Sequence, residues 1–145
     1  MLSTSEMFWL STVRLDGRPH VTPLPAIWLD GCFISAPALT SRKAKNLELN
    51  VWCILTTGTN QLRSGLDVVV EGTADRVKGR ATLERLAALW KSKLDWPFEV
   101  GDGAFRDGAG RKGLVSGVRP AKLLAFGKVE PCSQTRYVFE ATRRD

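Results

Sequence analysis

Apolar and polar residues alternate most regularly between positions 66 and 77. One set of alternate positions is apolar or small, and consists of Leu66, Val68, Val70, Gly72 and Ala74. The positions between them carry mainly acidic and hydroxyl side chains. Successive side chains of a strand point to opposite faces of a sheet. The pattern therefore predicts a half-buried strand over residues 66–77.

Shorter runs of strand-forming residues occur along the rest of the chain. They predict strands at residues 7–13, 18–29, 32–36, 51–57, 114–118, 122–128 and 135–139. Asp16-Gly17 and Asp30-Gly31 are turn signals on either side of the second of these strands. Short strands joined by tight turns favour antiparallel pairing.

Three prolines, Pro19, Pro23 and Pro25, occupy positions of the same parity in the predicted strand 18–29. Proline has no N–H to donate, so it is tolerated in a sheet only on a side that makes no ladder bonds. We therefore expect one side of this strand to be an open edge. The plainest interpretation is an edge strand that proline protects against aggregation.

Two segments show the three- and four-residue spacing of a helix. Over residues 81–94 the apolar positions are Leu83, Leu86, Ala87, Trp90 and Leu94. We interpret this segment as a packing helix without chemistry. A shorter helix is predicted over residues 41–50, with Thr40 or Ser41 as its N-cap. At least seven short strands and only two helices favour a closed antiparallel barrel.

The basic residues of the shorter helix lie at the end where the helix dipole disfavours them. Arg42, Lys43 and Lys45 fall in the first turn, where a cation costs about 0.3–1 kcal/mol. A bound anion would reverse this cost, because free N–H groups at a helix start together with Arg and Lys form a phosphate site. The alternative is a basic helix end that is simply solvated.

The residues around this helix resemble a known family. Ser41-Arg42-Lys43-Ala44, preceded by a predicted hairpin and followed by an apolar strand, is similar to the phosphate motif of the pyridoxamine 5'-phosphate oxidase-like split-barrel flavoproteins. Three other segments match in the same order: Gly17-Arg18-Pro19-His20-Val21-Thr22-Pro23, Asp67-Val68-Val69-Val70-Glu71-Gly72 and Gln134-Thr135-Arg136-Tyr137. The likeness covers nearly the whole chain, and it looks closest to the flavin/deazaflavin oxidoreductase branch.

The resemblance implies a fold and a class of function. The expected fold is mainly β with two to three helices, as one antiparallel, Greek-key-like split β-barrel domain over residues 1–145. The expected function is a flavin- or deazaflavin-dependent oxidoreductase that transfers hydride to or from a small organic substrate. The cofactor is FMN or, alternatively, the deazaflavin coenzyme F-420, and two cofactors would lie at the interface of a homodimer. Because the cofactor carries the chemistry, no side chain is assigned as catalytic.

The resemblance also implies which residues contact the cofactor. Arg42 and Lys43 would hold its phosphate, and the second strand would run beside its ring. The expected cofactor-binding residues are Thr22, Pro23, Leu24, Ser35, Ala36, Ser41, Arg42, Lys43, Asp67, Gln134 and Arg136. At Asp67 the chain departs from the vitamin-oxidising relatives, which carry Gln there, so that substrate class is not implied.

The predicted strand 135–139 lies close to the end of the chain. Alternation puts Arg136 and Val138 on one face, and Tyr137 and Phe139 on the other. We expect Arg136, helped by Gln134, to contact the cofactor or an anionic substrate, while Tyr137 and Phe139 anchor the strand in the barrel. The alternative is an exposed edge strand with a solvated arginine.

Residues 95–113 are rich in glycine and hold the aromatic residues Trp96, Phe98 and Phe105. Residues 108–113 match the letters GxGxxG. A dinucleotide fingerprint must follow a strand and open a helix, whereas here a loop precedes and a strand-like segment follows, so we reject that reading. The segment is either a mobile lid over a cofactor ring or a surface loop pinned by its aromatic residues.

Composition limits the remaining alternatives. The chain has 145 residues, a net charge of +6, three cysteines and one histidine. The charge attracts anions without choosing among nucleic acid, a membrane surface and a phosphorylated cofactor. The odd number of cysteines favours buried thiols over disulfides, and the single histidine argues against a zinc site. No apolar run approaches the ~20 residues of a membrane span, and we expect a cytoplasmic protein.

Two other function classes stay open from the residues alone. A flavin-binding protein without turnover would show the same sequence features. A barrel that binds single-stranded nucleic acid would carry exposed aromatic residues between Lys and Arg on its strands. Instead Trp9, Trp28 and Trp52 lie within apolar runs, which suits core or dimer contacts better.

Overall fold

The computed structural model describes residues 2–140, which form eleven strands and two helices. In chain order these elements are β1 Met7–Val13, β2 Pro19–Pro25, β3 Ile27–Leu29, β4 Cys32–Ser35, α1 Arg42–Leu49, β5 Trp52–Thr57, β6 Leu66–Arg76, α2 Arg80–Leu94, β7 Glu99–Gly101, β8 Ala104–Arg106, β9 Lys112–Gly113, β10 Ser116–Gly127 and β11 Ser133–Val138.

The main sheet is a curled antiparallel half-barrel. Its strand order is β2-β1-β5-β6-β10-β4-β3, and β11 pairs with β10 beside β4. The concave face encloses the first core, whose largest members are Phe8, Leu10, Phe33, Leu55 and Val70. The predicted fold class, a mainly β antiparallel split barrel, is confirmed.

Strand β6 has the predicted two-residue alternation. Val68, Val70, Gly72 and Ala74 are buried, and the residues between them are half-buried. Gly72 is required because a Cβ there would lie 2.2 Å from the carbonyl oxygen of Arg119 on β10. This close approach lies beside a β-bulge at which the β6–β10 register shifts between Pro120 and Lys122.

The bulge corrects one prediction. Residues 114–118 and 122–128, expected as two strands, belong to the single strand β10. A proline normally interrupts a ladder because it lacks an N–H, but a bulge leaves one residue of a strand unpaired and bends the strand without ending it. Pro120 is therefore accommodated inside the longest strand of the chain.

The predicted strand 18–29 is also corrected, because it consists of two strands. Strand β2 ends at Pro25 and β3 begins at Ile27. Between them, the buried Ala26 donates its N–H to the carbonyl of Glu6, 3.2 Å away. The expected open edge is confirmed, since β2 is the terminal strand of the sheet and pairs with β1 alone.

Residues 95–113 were predicted to be a loop, but they contain the three-stranded sheet β7-β8-β9. Phe105 is fully buried and packs edge-on against Trp90 of α2, with ring centroids 6.4 Å apart. Phe98 stacks on Phe105 at 4.9 Å. The aromatic residues therefore pin this segment onto α2. The rejection of GxGxxG as a dinucleotide fingerprint is confirmed, because residues 108–113 end in strand β9 and are followed by strand β10, so that no helix opens there.

Both predicted helices are present, with ends within one residue of those expected. Helix α2 buries Leu83, Leu86, Ala87 and Trp90 in the second core, together with residues of β3, β4 and β8. Neither of the helices found in residues 2–140 is long and apolar enough to cross a lipid bilayer.

Trp9 and Trp52 are 54% and 56% exposed, which excludes the core and leaves a dimer contact of the two roles predicted for them. Two other predictions about burial fail at the surface. Cys53 is a buried thiol as expected, but Cys132 is exposed. Tyr137 and Phe139, expected to anchor the last strand in the barrel, are exposed within this chain. All six residues of β11 are exposed, because the strand pairs only with β10.

Candidate functional site: a basic helix start beside an aromatic cleft

The inner face of β2 carries the first residues of the site. His20, Thr22 and Leu24 lie opposite Thr12, Leu10 and Phe8 of β1, respectively. Directly paired residues share a face, and these three β1 residues are almost fully buried. His20 and Thr22 therefore face the interior of the barrel near the end of the β1–β2 hairpin.

Helix α1 lies over this hairpin. The Ser41 hydroxyl accepts the N–H of Ala44 at 3.3 Å, so Ser41 is the N-cap, as predicted. One turn further, the buried Asn46 side chain donates to the Thr12 hydroxyl at 2.9 Å. The cap sets where the helix begins, and the Asn46–Thr12 bond sets which face meets the sheet.

These contacts bring the basic first turn of α1 to β2. The Lys43 ammonium donates to the Thr22 hydroxyl at 3.4 Å. Burial lowers the pKa of Lys43, since a charge on its half-buried ammonium is poorly solvated. Arg42 is exposed at the first helical position. The helix start thus carries one solvated and one half-buried cation.

The segment that leads into α1 is held by the small sheet. Ala38 forms a bridge with Gly113, the N–H of Leu39 donates to the carbonyl of Lys112 at 3.0 Å, and the N–H of Leu114 donates to the carbonyl of Pro37 at 3.1 Å. A Cβ on Gly113 would lie 2.9 Å from the Ala36 carbonyl oxygen, so glycine allows this approach.

A cleft of about 220 Å³ opens between β2, the α1 start and the small sheet. One wall consists of Pro23, Leu24, Pro25 and Lys43, and the floor of residues 36–38. The opposite wall consists of Trp90, Trp96, Phe98, Asp107, Arg111, Lys112 and Gly113. The cleft is therefore apolar and aromatic, with basic groups on two sides.

Asp107 organises the turn at one wall. Its carboxylate accepts the N–H groups of Ala109 and Arg111 at 3.0 and 2.9 Å, and also the Arg111 guanidinium at 2.7 Å. The backbone N–H of Arg111 is the largest of the contributions that lower the pKa of Asp107. The ion pair neutralises much of the charge of Asp107 and Arg111. The remaining cations of the cleft are Lys43 on one wall and Lys112 on the other, and Lys112 lies 3.9 Å from the Asp102 carboxylate.

The structure brings some of the predicted site residues together. Pro23, Leu24, Ala36 and Lys43 line the cleft, Thr22 contacts Lys43, and Ser41 and Arg42 are at the helix start. Ser35 is buried in β4 opposite Ser116, next to the cleft residue Ala36.

Asp67, Gln134 and Arg136 lie elsewhere, on the outer face of β6, β10 and β11. Asp67 pairs with Phe126 in register, and Phe126 pairs with Gln134. The Asp67 carboxylate accepts a bond from Lys128 at 2.8 Å. These three residues do not line the cleft of the same chain.

Three residues of the site were not predicted, namely Arg14, His20 and Trp90, whereas Trp96 and Phe98 were predicted as part of a possible lid over a cofactor ring. Burial is the first cause that lowers the pKa of His20, followed by the positive charges of Arg14, Lys43 and Arg42. His20 has the same parity as Thr22 in the strand, which was a usable signal. The contribution of Trp90, on a helix read as packing only, had no signal in the sequence.

The family model for pyridoxamine 5'-phosphate oxidase matches residues 1–112. The chain belongs to this family. No curated protein matches the sequence.

Solved structures support the family fold. A conserved hypothetical protein from Mycobacterium tuberculosis is similar with a TM-score of 0.69 and 20% identity, covering 88% of this chain and 80% of that one. An F420 reductase is similar with a TM-score of 0.62 and 20% identity, covering 84% and 91%. A heme binding protein from Mycobacterium smegmatis has a TM-score of 0.65 and 15% identity; the match covers 91% of this chain but only 53% of that protein. At these identities the likeness establishes the pyridoxamine 5'-phosphate oxidase-like fold alone.

Proposed function

We propose that the protein is a flavin- or deazaflavin-dependent oxidoreductase that binds its cofactor phosphate at Ser41, Arg42 and Lys43. The observation that carries this proposal is the basic start of α1, which opens directly into an aromatic cleft. We further propose that residues 1–145 act as one flavin-binding domain in a cytoplasmic protein.

The phosphate assignment is supported by the local electrostatics. The first turn of α1 presents free backbone N–H groups, the positive end of the helix dipole and the side chains of Arg42 and Lys43. Without an anion, these cations oppose the dipole. With a phosphate at the helix start, both the cations and the dipole stabilise the same negative charge.

The cleft suits a planar ring. Trp96 and Phe98 stack at 5.8 Å with an angle of 15° between their planes, and Pro23 and Leu24 line the opposite side. Its volume of about 220 Å³ is smaller than the ~300–1,000 Å³ of sites that enclose a whole ligand. One chain would therefore enclose only part of a flavin.

A homodimer would supply the missing part. Met7, Trp9 and Trp52 expose large apolar side chains on the sheet. Trp9, Thr56, Val69, Leu124 and Arg136 are successive partners across β1, β5, β6, β10 and β11, so they share the outer face. Large exposed apolar surfaces mark interaction sites. A second copy covering this face would bring its helix start towards the row that ends at Arg136.

A bound flavin or deazaflavin supplies hydride transfer, so the residues of this chain need only bind, orient and shield it. FMN and coenzyme F-420 both contain a phosphate group, which Arg42 and Lys43 would hold at the helix start. The similarity to a structure named F420 reductase and to a FAD-binding protein from Mesorhizobium loti supports a cofactor of this class and leaves the choice within it open. The substrate we expect is a small organic molecule.

A second candidate is a binding protein of the same fold without turnover, which the similarity to a heme binding protein favours. A nucleic-acid-binding barrel, the third class, gains one supporting observation, because Trp9 and Trp52 are exposed. The nucleic-acid alternative does not explain why the basic helix start adjoins an aromatic cleft, whereas a binding protein without turnover would use the same site.

The decisive experiment is to identify the ligand that copurifies with the protein. We expect the absorption spectrum and the mass of the released ligand to identify FMN or F-420. Protein from which the ligand has been removed should take up the same ligand again from a mixture of FMN, FAD and F-420. Protein that binds none of the three cofactors would overturn the proposal. Protein that binds one of them tightly but neither oxidises nor reduces any tested substrate would favour the binding-protein alternative.

A further inference from the structure

We propose that Arg14 and His20 complete the anion site at the start of α1, and that His20 makes this site bind its anion more tightly as the pH falls. The inference rests on the proposed phosphate site, and it adds a residue pair and a proton that the family motif Ser41-Arg42-Lys43 does not contain. The ligand class is a phosphate or sulfate group carrying two negative charges.

The β1–β2 hairpin places both residues. Arg14 directly follows β1, and it donates its N–H to the Arg18 carbonyl and accepts the Gly17 N–H, both at 2.9 Å. Gly17 has a φ of 83°, which glycine adopts without strain. The tight turn therefore holds Arg14 at the end of the hairpin next to α1.

His20 is placed by the same hairpin from the other strand. It pairs with Thr12, whose hydroxyl is bonded to Asn46 of α1. Two residues further along β2, Thr22 contacts Lys43. His20 thus shares a strand face with Thr22 and a strand pair with Thr12, both of which touch α1.

Two nitrogen atoms at this point lack partners. Among the described residues, Arg14 Nε and His20 Nδ1 are buried without a hydrogen-bond partner. Buried polar atoms are nearly always bonded in folded proteins. Both atoms can donate to an anion, Arg14 Nε always, and His20 Nδ1 in the imidazolium or in the neutral tautomer that carries its proton on Nδ1. An anion between the hairpin and α1 would satisfy both.

The charges that face His20 are mainly positive. Arg14 approaches from the hairpin, and Arg42 and Lys43 from α1. The nearest acid in the hairpin, Asp16, already accepts the Arg18 guanidinium and backbone N–H, at 2.9 and 3.1 Å. Its carboxylate is therefore engaged on the outer side of the turn. A mobile anion is the natural counter-ion for the remaining cations.

The direction of the pH effect follows from linkage. Burial and the three cations lower the pKa of free His20 below its usual 6.5, so the imidazole is neutral at pH 7. A bound dianion favours the imidazolium and raises that pKa. Binding therefore takes up a proton, and affinity rises as the pH falls through the range between the raised and the lowered pKa. The affinity for the anion increases about tenfold for each unit by which the bound anion raises the pKa of His20.

The wild-type protein allows a direct test, because His20 is its only histidine. The pKa of His20 is measured by NMR in ligand-free protein, with and without inorganic sulfate, whose charge is constant between pH 5 and 9. We expect a pKa below that of free histidine, and a rise on addition of sulfate. A pKa that sulfate leaves unchanged at saturation would overturn the inference.

Two variants separate site residues from structural ones. Replacing His20→Gln should make sulfate affinity independent of pH between 5.5 and 8. Replacing Arg14→Gln should lower sulfate affinity and also raise the pKa of His20, because a like charge is removed. Lys45→Gln, which changes an exposed cation on the same helix, should do neither. Equal effects of Arg14→Gln and Lys45→Gln would contradict the proposed pair.

The outcome is distinguishable from failure of the proposed function. If Arg42→Ala/Lys43→Ala abolishes FMN binding while the His20 pKa does not respond to sulfate or FMN, the phosphate site stands and only the inference fails. If sulfate shifts the His20 pKa but FMN and F-420 do not bind, the anion site stands without the cofactor. A pH dependence of sulfate affinity that persists in His20→Gln, with the fold checked by circular dichroism, contradicts the role of His20.

Discussion

The start of α1 and strand β11 both carry basic residues that the sequence assigns to one site, but the chain holds them in different ways. The helix start is held by the Ser41 cap, by the Asn46–Thr12 bond and by pairing of residues 37–39 with β9. Strand β11 pairs with β10 alone, and every residue in it is exposed. The first region is preorganised within one chain and the second is not.

This difference separates two kinds of binding residue. Arg42 and Lys43 are positioned before any ligand or second copy arrives, so their contribution depends on the fold of one chain. Arg136 lies on an outer face whose exposed apolar residues lack a cover in this chain. Its contribution would depend on the dimer. Substitutions in the two regions should therefore differ in size and in their dependence on protein concentration.

The largest effect is expected at the helix start. Replacing Arg42→Ala and Lys43→Ala together should weaken FMN binding at least about a hundredfold, because two charge-assisted contacts of about 1.5–3 kcal/mol each are lost. The melting temperature should change little, since the Ser41 cap stays. Titration with FMN and F-420 measures the effect, and Lys45→Ala is the matched control. If the double variant binds FMN with an affinity within about twofold of wild type, the proposed phosphate site at the start of α1 is wrong.

The next largest effect is expected on β11. Replacing Arg136→Ala should cost about 1–3 kcal/mol of cofactor binding or transition-state stabilisation. The melting temperature should stay the same because the side chain is exposed. Wild-type affinity and turnover in this variant would make the arginine a surface residue.

A mixing experiment sharpens the same comparison. Subunits with Arg42→Ala/Lys43→Ala are combined with subunits that carry Arg136→Ala. If each site uses both copies of the chain, random exchange of equal amounts makes about half of the dimers mixed, and one of the two sites in each mixed dimer is intact, so about a quarter of all sites recover. No recovery would mean that Arg136 and the helix start act within one chain, or that Arg136 has no role.

A substitution on the outer face of the sheet is expected to have a smaller effect, and this effect is on self-association. Wild-type protein at micromolar concentration should sediment at about twice the 16.0 kDa chain mass. Trp9→Glu should weaken self-association about tenfold or more, because a charge replaces an apolar side chain in the covered face. Leu15→Glu, in the exposed β1–β2 turn, is the control. A wild-type monomer that binds flavin tightly would defeat the two-copy site.

The smallest effect is expected at Thr22. Thr22→Val keeps the shape but removes the hydroxyl that accepts the Lys43 ammonium at 3.4 Å. The lost bond should weaken FMN binding about two- to tenfold, corresponding to about 0.5–1.5 kcal/mol. A loss as large as that of the double variant would indicate that Thr22 contacts the cofactor itself.

The sequence predicted well the features that depend on local patterns. The β6 alternation, the amphipathic α2, the Ser41 cap and the proline-marked edge strand all follow from residues that are close in the chain. The ordered motifs that the family shares predicted that Thr22 and Lys43 both contact the cofactor. The order of the strands in the sheet and the bond between these two side chains were not predicted.

The features that the sequence did not predict depend on distant residues. The continuity of β10 requires Gly72 of β6, which lets the backbone of Arg119 approach. The small sheet forms because Phe105 finds Trp90 on α2. Trp9 and Tyr137 are exposed or buried depending on two things. One is which face of the sheet packs on the core, and the other is whether a second copy of the chain covers the opposite face. No local spacing contains that information.

The long strand β10 has a consequence for how the chain folds during synthesis. One edge of it pairs with β6, while its other edge is divided between β4 at residues 116–118 and β11 at residues 122–127. Strands β3 and β4 therefore have no route into the sheet until the last fifth of the chain has left the ribosome. A nascent chain that ends at residue 112 would hold the proposed phosphate-binding residues and the joined strands β2, β1, β5 and β6. Strands β3 and β4 would have no partner in that sheet, so part of the core would stay exposed.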